Sequence, residues 1–113
     1  EGPQDIRQNL NSIALEPGMI TSNEPGIYRE GKHGVRHENL MLCVSLGSNE
    51  FGSWLGFETL TLCHFDTAAI EKSLLDRDEI EWLNDYNETV YRSLSPHLPD
   101  EIASWLREKT LPV

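Results

Sequence analysis

Apolar positions change period partway along the chain, and the change divides it into a β part and an α part. Residues 1 to 18 are polar and turn-rich, closing on Pro17-Gly18. Three strand candidates follow: MITSNE from Met19, GVRHENLMLCVSL from Gly34, and GFETLTLCHF from Gly56. PGIYREGKH joins the first two, and a polar connection around Gly47-Ser48-Asn49 joins the last two. From Asp76 the spacing becomes helical, with Ile80, Leu83, Tyr86 or Asn87, Val90 and Leu94 on one face. Asp76 and Glu79 stand three apart at its start, the pattern of a capping box. His97 and Pro99 end this helix, and a shorter one is predicted over Asp100 to Lys109 with Ile102, Trp105 and Leu106 on one side. No internal repeat or low-complexity tract is present.

The 113 residues suffice for one modest core, and 38% apolar with 25% charged residues is a globular rather than a disordered balance. The formal charge of −10 argues against a groove for nucleic-acid phosphates and against an anionic membrane surface. No run approaches the roughly 18 apolar residues of a membrane span. Cys43 and Cys63 lie in different apolar runs without metal-ligand spacing, so both read as reduced core thiols of a cytoplasmic protein. The chain opens on EGPQDI without an initiator Met, weak evidence that it was cut from a longer protein.

Candidate chemistry centres on Glu24 and Glu38, two acids set among strand-like residues where an ionised carboxylate is costly to bury. In an antiparallel hairpin, opposed residues keep a constant index sum. For this pair the midpoint is Gly31, inside REGKHG, where a glycine suits a turn that needs positive φ. Opposed side chains have Cβ atoms about 4.5–5.5 Å apart. Two carboxylates that close repel, so either a positive group stands between them or the register differs. Alternation puts Arg36 and Glu38 on one face with Leu40, Leu42 and Val44, while Val35, His37, Asn39, Met41 and Cys43 take the other. Arg36 is thus placed to orient a carboxylate pair, and hard oxygen donors suit a divalent cation such as manganese. Taken alone, two acids in a hairpin are more simply solvent-facing or paired with Arg or Lys. His33, His37, His64 and His97 are more simply surface or core residues than ligands, and Trp82, Tyr86 and Trp105 fit helix-packing faces.

The stretch EPGMITSNEPGIYREGKHGVRHENLML resembles the pita-bread metallopeptidases, and within them the Xaa-Pro aminopeptidases. That family carries a hairpin of the form PGM…EPG.Y…G.R.EN. Its elements occur here in order as Pro17-Gly18-Met19, Glu24-Pro25-Gly26, Tyr28, Gly34, Arg36 and Glu38-Asn39. The opening EGPQ resembles the family segment that follows a substrate-binding histidine. FETLTL, DEIEWLNDYN and ASWLRE resemble the C-terminal extension of the three-domain branch of the family.

The resemblance implies two divalent metal ions, commonly manganese. Glu24 would bind one metal and act as general base, Glu38 would bridge both ions, and Arg36 and Tyr28 would support the carboxylates from behind. It further implies peptide substrates with proline at the second position, a cytoplasmic enzyme, and a homodimer as one assembly of the parent protein. His37 departs from the pattern, standing where the family usually has an aliphatic residue. Two aspartates and a histidine that complete the family's metal site would lie upstream of residue 1, so the chain alone is expected to be inactive.

The resulting expectation is an α+β chain. Residues 1–66 would carry terminal β-strands of a pita-bread catalytic domain, and 67–113 a helical C-terminal extension. Its function would be that of an Xaa-Pro aminopeptidase fragment. A prolidase or other pita-bread peptidase, and a non-catalytic binding or dimerisation module, are the alternatives; the WLNDYN tail favours aminopeptidase P over prolidase.

Overall fold

The computed structural model describes residues 13 to 113; the EGPQ opening lies outside the described residues. The chain divides into two compact units with the break between Thr61 and Leu62. The first is β and the second α, so the fold is α+β as the change of period predicts.

In the first unit, β1 (Ile20–Asn23), β4 (Asn39–Asn49) and β5 (Gly52–Thr59) form a sheet in the order β1-β4-β5. β2 (Gly26–Arg29) and β3 (His33–Arg36) form a separate two-stranded ladder. Ile20 pairs with Leu42 and Asn23 with Asn39; Gly26 pairs with Arg36 and Arg29 with His33. All four pairs share the index sum centred on Gly31, which takes φ 66° at the hairpin tip. One register therefore runs through both ladders. Among the described residues of this unit, Thr21, Asn39 and Cys43 are buried, all on the odd-numbered face.

The strands differ from the sequence reading: β2 lies in PGIYREGKH, read as a joint, and β5 begins at Gly52 rather than Gly56; three further differences have a local reason. The single strand expected from Gly34 to Leu46 is divided, because β3 ends at Arg36 and β4 starts at Asn39. Opposite the gap stands Pro25, which has no N–H to give the ladder. The His37 amide donates across it to the Pro25 carbonyl at 3.3 Å. Gly47-Ser48-Asn49 is strand rather than connection: β4 passes through a register shift between Ser45 and Gly47 and turns later. At that turn the Asn49 side chain accepts a hydrogen bond from the Phe51 amide at 2.9 Å. Finally, β5 stops at Thr59 instead of reaching Phe65. Beyond it the Leu40 amide donates to the Thr61 hydroxyl rather than to a backbone carbonyl.

The second unit is built on α1 (Arg77–Leu94) and α2 (Asp100–Lys109), linked by a 3-10 turn over Ser95–His97. Asp76 caps α1: its side chain accepts from the Glu79 amide, and Glu79 accepts in return from the Asp76 amide, at 2.9 and 3.0 Å. Tyr86, Val90 and Leu106 form the core, with Phe65, Tyr91, Leu94 and Leu98 packed against it. Of the predicted α2 face only Leu106 is buried, while Ile102 and Trp105 stay largely exposed. Among the helix aromatics, Tyr86 is buried and Trp82 stacks on it with centroids 5.4 Å apart, leaving the indole half exposed. Arg107 lies over the Tyr91 ring, 4.7 Å from its centroid, and pairs with Glu88. Both cysteines are free thiols. Cys43 is buried as expected, but Cys63 is exposed, because the chain around it belongs to no strand.

Asp76→Ala is expected to destabilise the second unit by about 0.5–2 kcal/mol through loss of the cap. Urea unfolding followed at 222 nm checks this, and equal midpoints at unchanged slope would contradict the assignment.

Candidate metal centre

β1 and β4 on one side, and β2 and β3 on the other, place Glu24 and Glu38 in the short gap between two ladders of one register. Even-numbered residues share a face there. A groove of about 340 Å³ on that face is lined by Ile20, Ser22, Glu24, Arg36, Glu38 and Leu40, with Thr21 alongside. The acids are therefore not buried: each side chain is 40% exposed, and Arg36 is 46% exposed. Burial was the feature that made the pair costly, and the fold avoids it.

Charge repulsion is met directly. Arg36 reaches both acids, donating from Nη1 to Glu24 Oε2 and forming an ion pair through Nη2 with Glu38 Oε2, each at 3.1 Å. The fork of a guanidinium can address two carboxylates at once, where an ammonium acts as a single point charge. Ser22 is a partner that reading the sequence missed. Its hydroxyl donates to Glu24 Oε1 at 2.7 Å, so both oxygens of Glu24 are engaged. The available signal was its position two residues before Glu24 on the same strand face.

These contacts set the protonation states. The Ser22 hydroxyl holds the Glu24 carboxyl below its ordinary value against the opposing effect of desolvation, with Arg36 adding to the lowering. Arg36 is pushed up, first by Glu38, then by Tyr28 and Glu24. Glu24, Arg36, Glu38 and Tyr28 are thus brought together on one face. His37 is half-buried, its amide tied to Pro25.

The donor set suits a share of a hard-cation site: two carboxylates, converging and oriented from one side. It is not a complete site. Among the described residues no group of three or more His, Cys, Asp or Glu side chains is placed to hold a metal ion.

Comparison with known proteins identifies the family. Residues 1–45 match the profile described as metallopeptidase family M24, and residues 53–113 match the C-terminal region of peptidase_M24. The probable Xaa-Pro aminopeptidase P of Coprinopsis cinerea is 41% identical over all of this chain, which covers 19% of that protein. The protein of the same name from Talaromyces marneffei is 37% identical over all of this chain and 18% of its own length. An X-prolyl aminopeptidase from Caenorhabditis elegans, described as a cytosolic enzyme with a di-nuclear active site, superposes with a TM-score of 0.78. It is 33% identical over 88% of this chain and 17% of its own. The chain thus spans less than a fifth of the length of each of these relatives. It belongs to metallopeptidase family M24.

Proposed function

We propose that the chain is the C-terminal part of a metal-dependent Xaa-Pro aminopeptidase, which removes the N-terminal residue preceding proline from peptides. The observation that carries this reading is the Arg36 guanidinium bonded to Glu24 and Glu38 across one hairpin register, within a chain of this family. Glu24 and Glu38 would be two of the ligands to a pair of divalent cations, with manganese suited to their hard oxygens, and the remaining ligands would come from residues upstream of residue 1. Bound there, the ions would polarise the scissile carbonyl and activate water.

This chain's own residues have separable tasks. Glu24 is the general base: ionised at neutral pH, it can take a proton at its carboxylate, and Ser22 on Oε1 fixes the plane from which it does so. Glu38 would supply a carboxylate ligand to the metal pair. Arg36 keeps the two carboxylates in one orientation and offsets their repulsion when cations are absent. Tyr28 supports Arg36. On its likeness to the Caenorhabditis elegans protein, which is described as cytosolic, we place the parent protein in the cytoplasm.

The 113-residue chain alone is expected to show no hydrolysis of an Ala-Pro peptide. Cleavage above a Glu24→Gln, Glu38→Gln control would contradict the dependence on a complete site.

In the full-length protein the two acids are expected to separate. Glu38→Gln weakens both cation positions and loses most of the bound metal. Glu24→Gln keeps more metal and lowers kcat by about 10²–10⁴-fold, the usual range for loss of a general base. Elemental analysis after dialysis, beside activity in added manganese, distinguishes them. Full metal occupancy in both variants, or emptying by Glu24→Gln alone, reverses the roles.

A further inference from the structure

Glu38 stands between two ladders, since β3 ends at Arg36 and β4 begins at Asn39. Its backbone is therefore placed by the attachments of its neighbours in each. Along β4 those attachments alternate in direction. Cys43 bonds on the β1 side, accepting from the Gly18 amide at 2.9 Å and donating to the Met19 carbonyl at 2.8 Å. Leu40, three residues before it, bonds on the β5 side. The register that pairs Met41 with Thr59 puts Leu40 opposite Leu60. In a regular antiparallel ladder such a pair exchanges two backbone bonds. One is present, from the Leu60 amide to the Leu40 carbonyl at 2.8 Å. The other goes to a side chain: the Leu40 amide donates to Thr61 Oγ1, also at 2.8 Å.

Thr61 makes this bond where the chain is leaving the sheet, because β5 has ended at Thr59 and the first unit ends at Thr61 itself. The hydroxyl extends the hold on β4 past the last backbone pair. A β-branched side chain has few χ1 states, so the acceptor keeps its place. Leu40 is one full alternation from Glu38 and lies on the same face. Thr61 also belongs to the part of the chain that matches the C-terminal region of the family, whereas Glu38 and Leu40 lie in the part that matches the peptidase. A residue of one region thus secures the strand that Glu38 leads into in the other.

We propose that Thr61 is a positioning residue for Glu38: its hydroxyl fixes the start of β4 through the Leu40 amide, so that the C-terminal region takes part in holding the metal centre. The proposal rests on the reading of Glu38 as a metal ligand. Arg36 orients the carboxylate from the side of the hairpin, and Thr61 fixes the backbone that carries it from the side of β5. Without the hydroxyl, the Leu40 amide loses its acceptor and the first turn of the strand after Glu38 loosens. A purely structural alternative has Thr61 only finishing the edge of the sheet. It differs in one respect: the loss would then cost stability without reaching the metal.

The test uses the full-length protein and two readouts, hydrogen exchange at the Leu40 amide and manganese affinity. Thr61→Val keeps the branched shape and removes the acceptor. It should speed exchange at Leu40 and weaken manganese binding by about 2–10-fold, the ratio that one ordinary hydrogen bond supports. Thr61→Ser keeps the hydroxyl and should stay near the parent in both. Should valine not be accommodated, Thr61→Ala against Thr61→Ser makes the same comparison. Ser53→Ala serves as the control, because it removes the Ser48–Ser53 hydroxyl contact between the same two strands at their far end. It should leave manganese binding unchanged. Unaltered exchange in Thr61→Val overturns the role of the hydrogen bond. Faster exchange with full manganese affinity, or an equal loss in Ser53→Ala, overturns the positioning role. Ala-Pro cleavage is followed separately: metal losses of the expected pattern without peptidase activity would refute the proposed function and leave this inference standing. A parent protein that binds no manganese overturns both.

Discussion

The index sum through both ladders is the constraint on which the site depends. It is fixed at the tip, where Gly31 makes the reversal, and continues from Arg29–His33 to Ile20–Leu42. Because side chains alternate, a slip of one residue would send Glu24 or Glu38 to the opposite face. The interruption at Pro25 removes ladder bonds without shifting register, since the pairs on either side agree. That gap lets two opposed acids sit clear of a continuous ladder while their relation stays fixed.

Energetically the pair contributes little to folding. Ion pairs this exposed add little to stability, and screening by salt lowers their contribution further. Arg36 matters through geometry: it gives two like charges a reason to converge. The α unit contrasts with this. There Tyr86, Val90 and Leu106 are buried together, and the start of α1 and the end of α2 are closed by specific side-chain contacts. Thr110, 2% exposed, donates its hydroxyl to the Leu106 carbonyl at 2.9 Å at the end of α2. Stability and chemistry thus draw on different residues.

Much of this was legible in the sequence wherever one local rule decided the outcome. The α1 cap follows from Asp76 and Glu79, and the bounds of α2 from Pro99 and the polar turn before it. The hairpin register follows from a single glycine midway between two acids. Strand ends were less legible, because they depend on what the partner strand offers. Pro25 divides β3 from β4 from the opposite side of the hairpin, and Thr61 replaces a backbone acceptor with its hydroxyl. Likewise the exposure of Cys63, Ile102 and Trp105 is a matter of packing that periodicity does not encode. Ser22 escaped notice because a serine in a strand has no distinctive spacing. The roles of Glu24, Glu38, Arg36 and Tyr28 came from the family motif, and geometry adds their convergence on one face.

Tyr86 carries a consequence for dynamics in the second unit. Its hydroxyl donates to the Cys63 carbonyl at 2.9 Å and accepts from the Cys63 amide at 3.4 Å. One phenol thus satisfies both backbone groups of a residue that lies in no strand or helix. Tyr86 is itself part of the core of α1 and α2. The Cys63 amide can therefore meet solvent only when that core loosens around the ring, so its hydrogen exchange follows the opening of the helices and not the rapid motion of a loop.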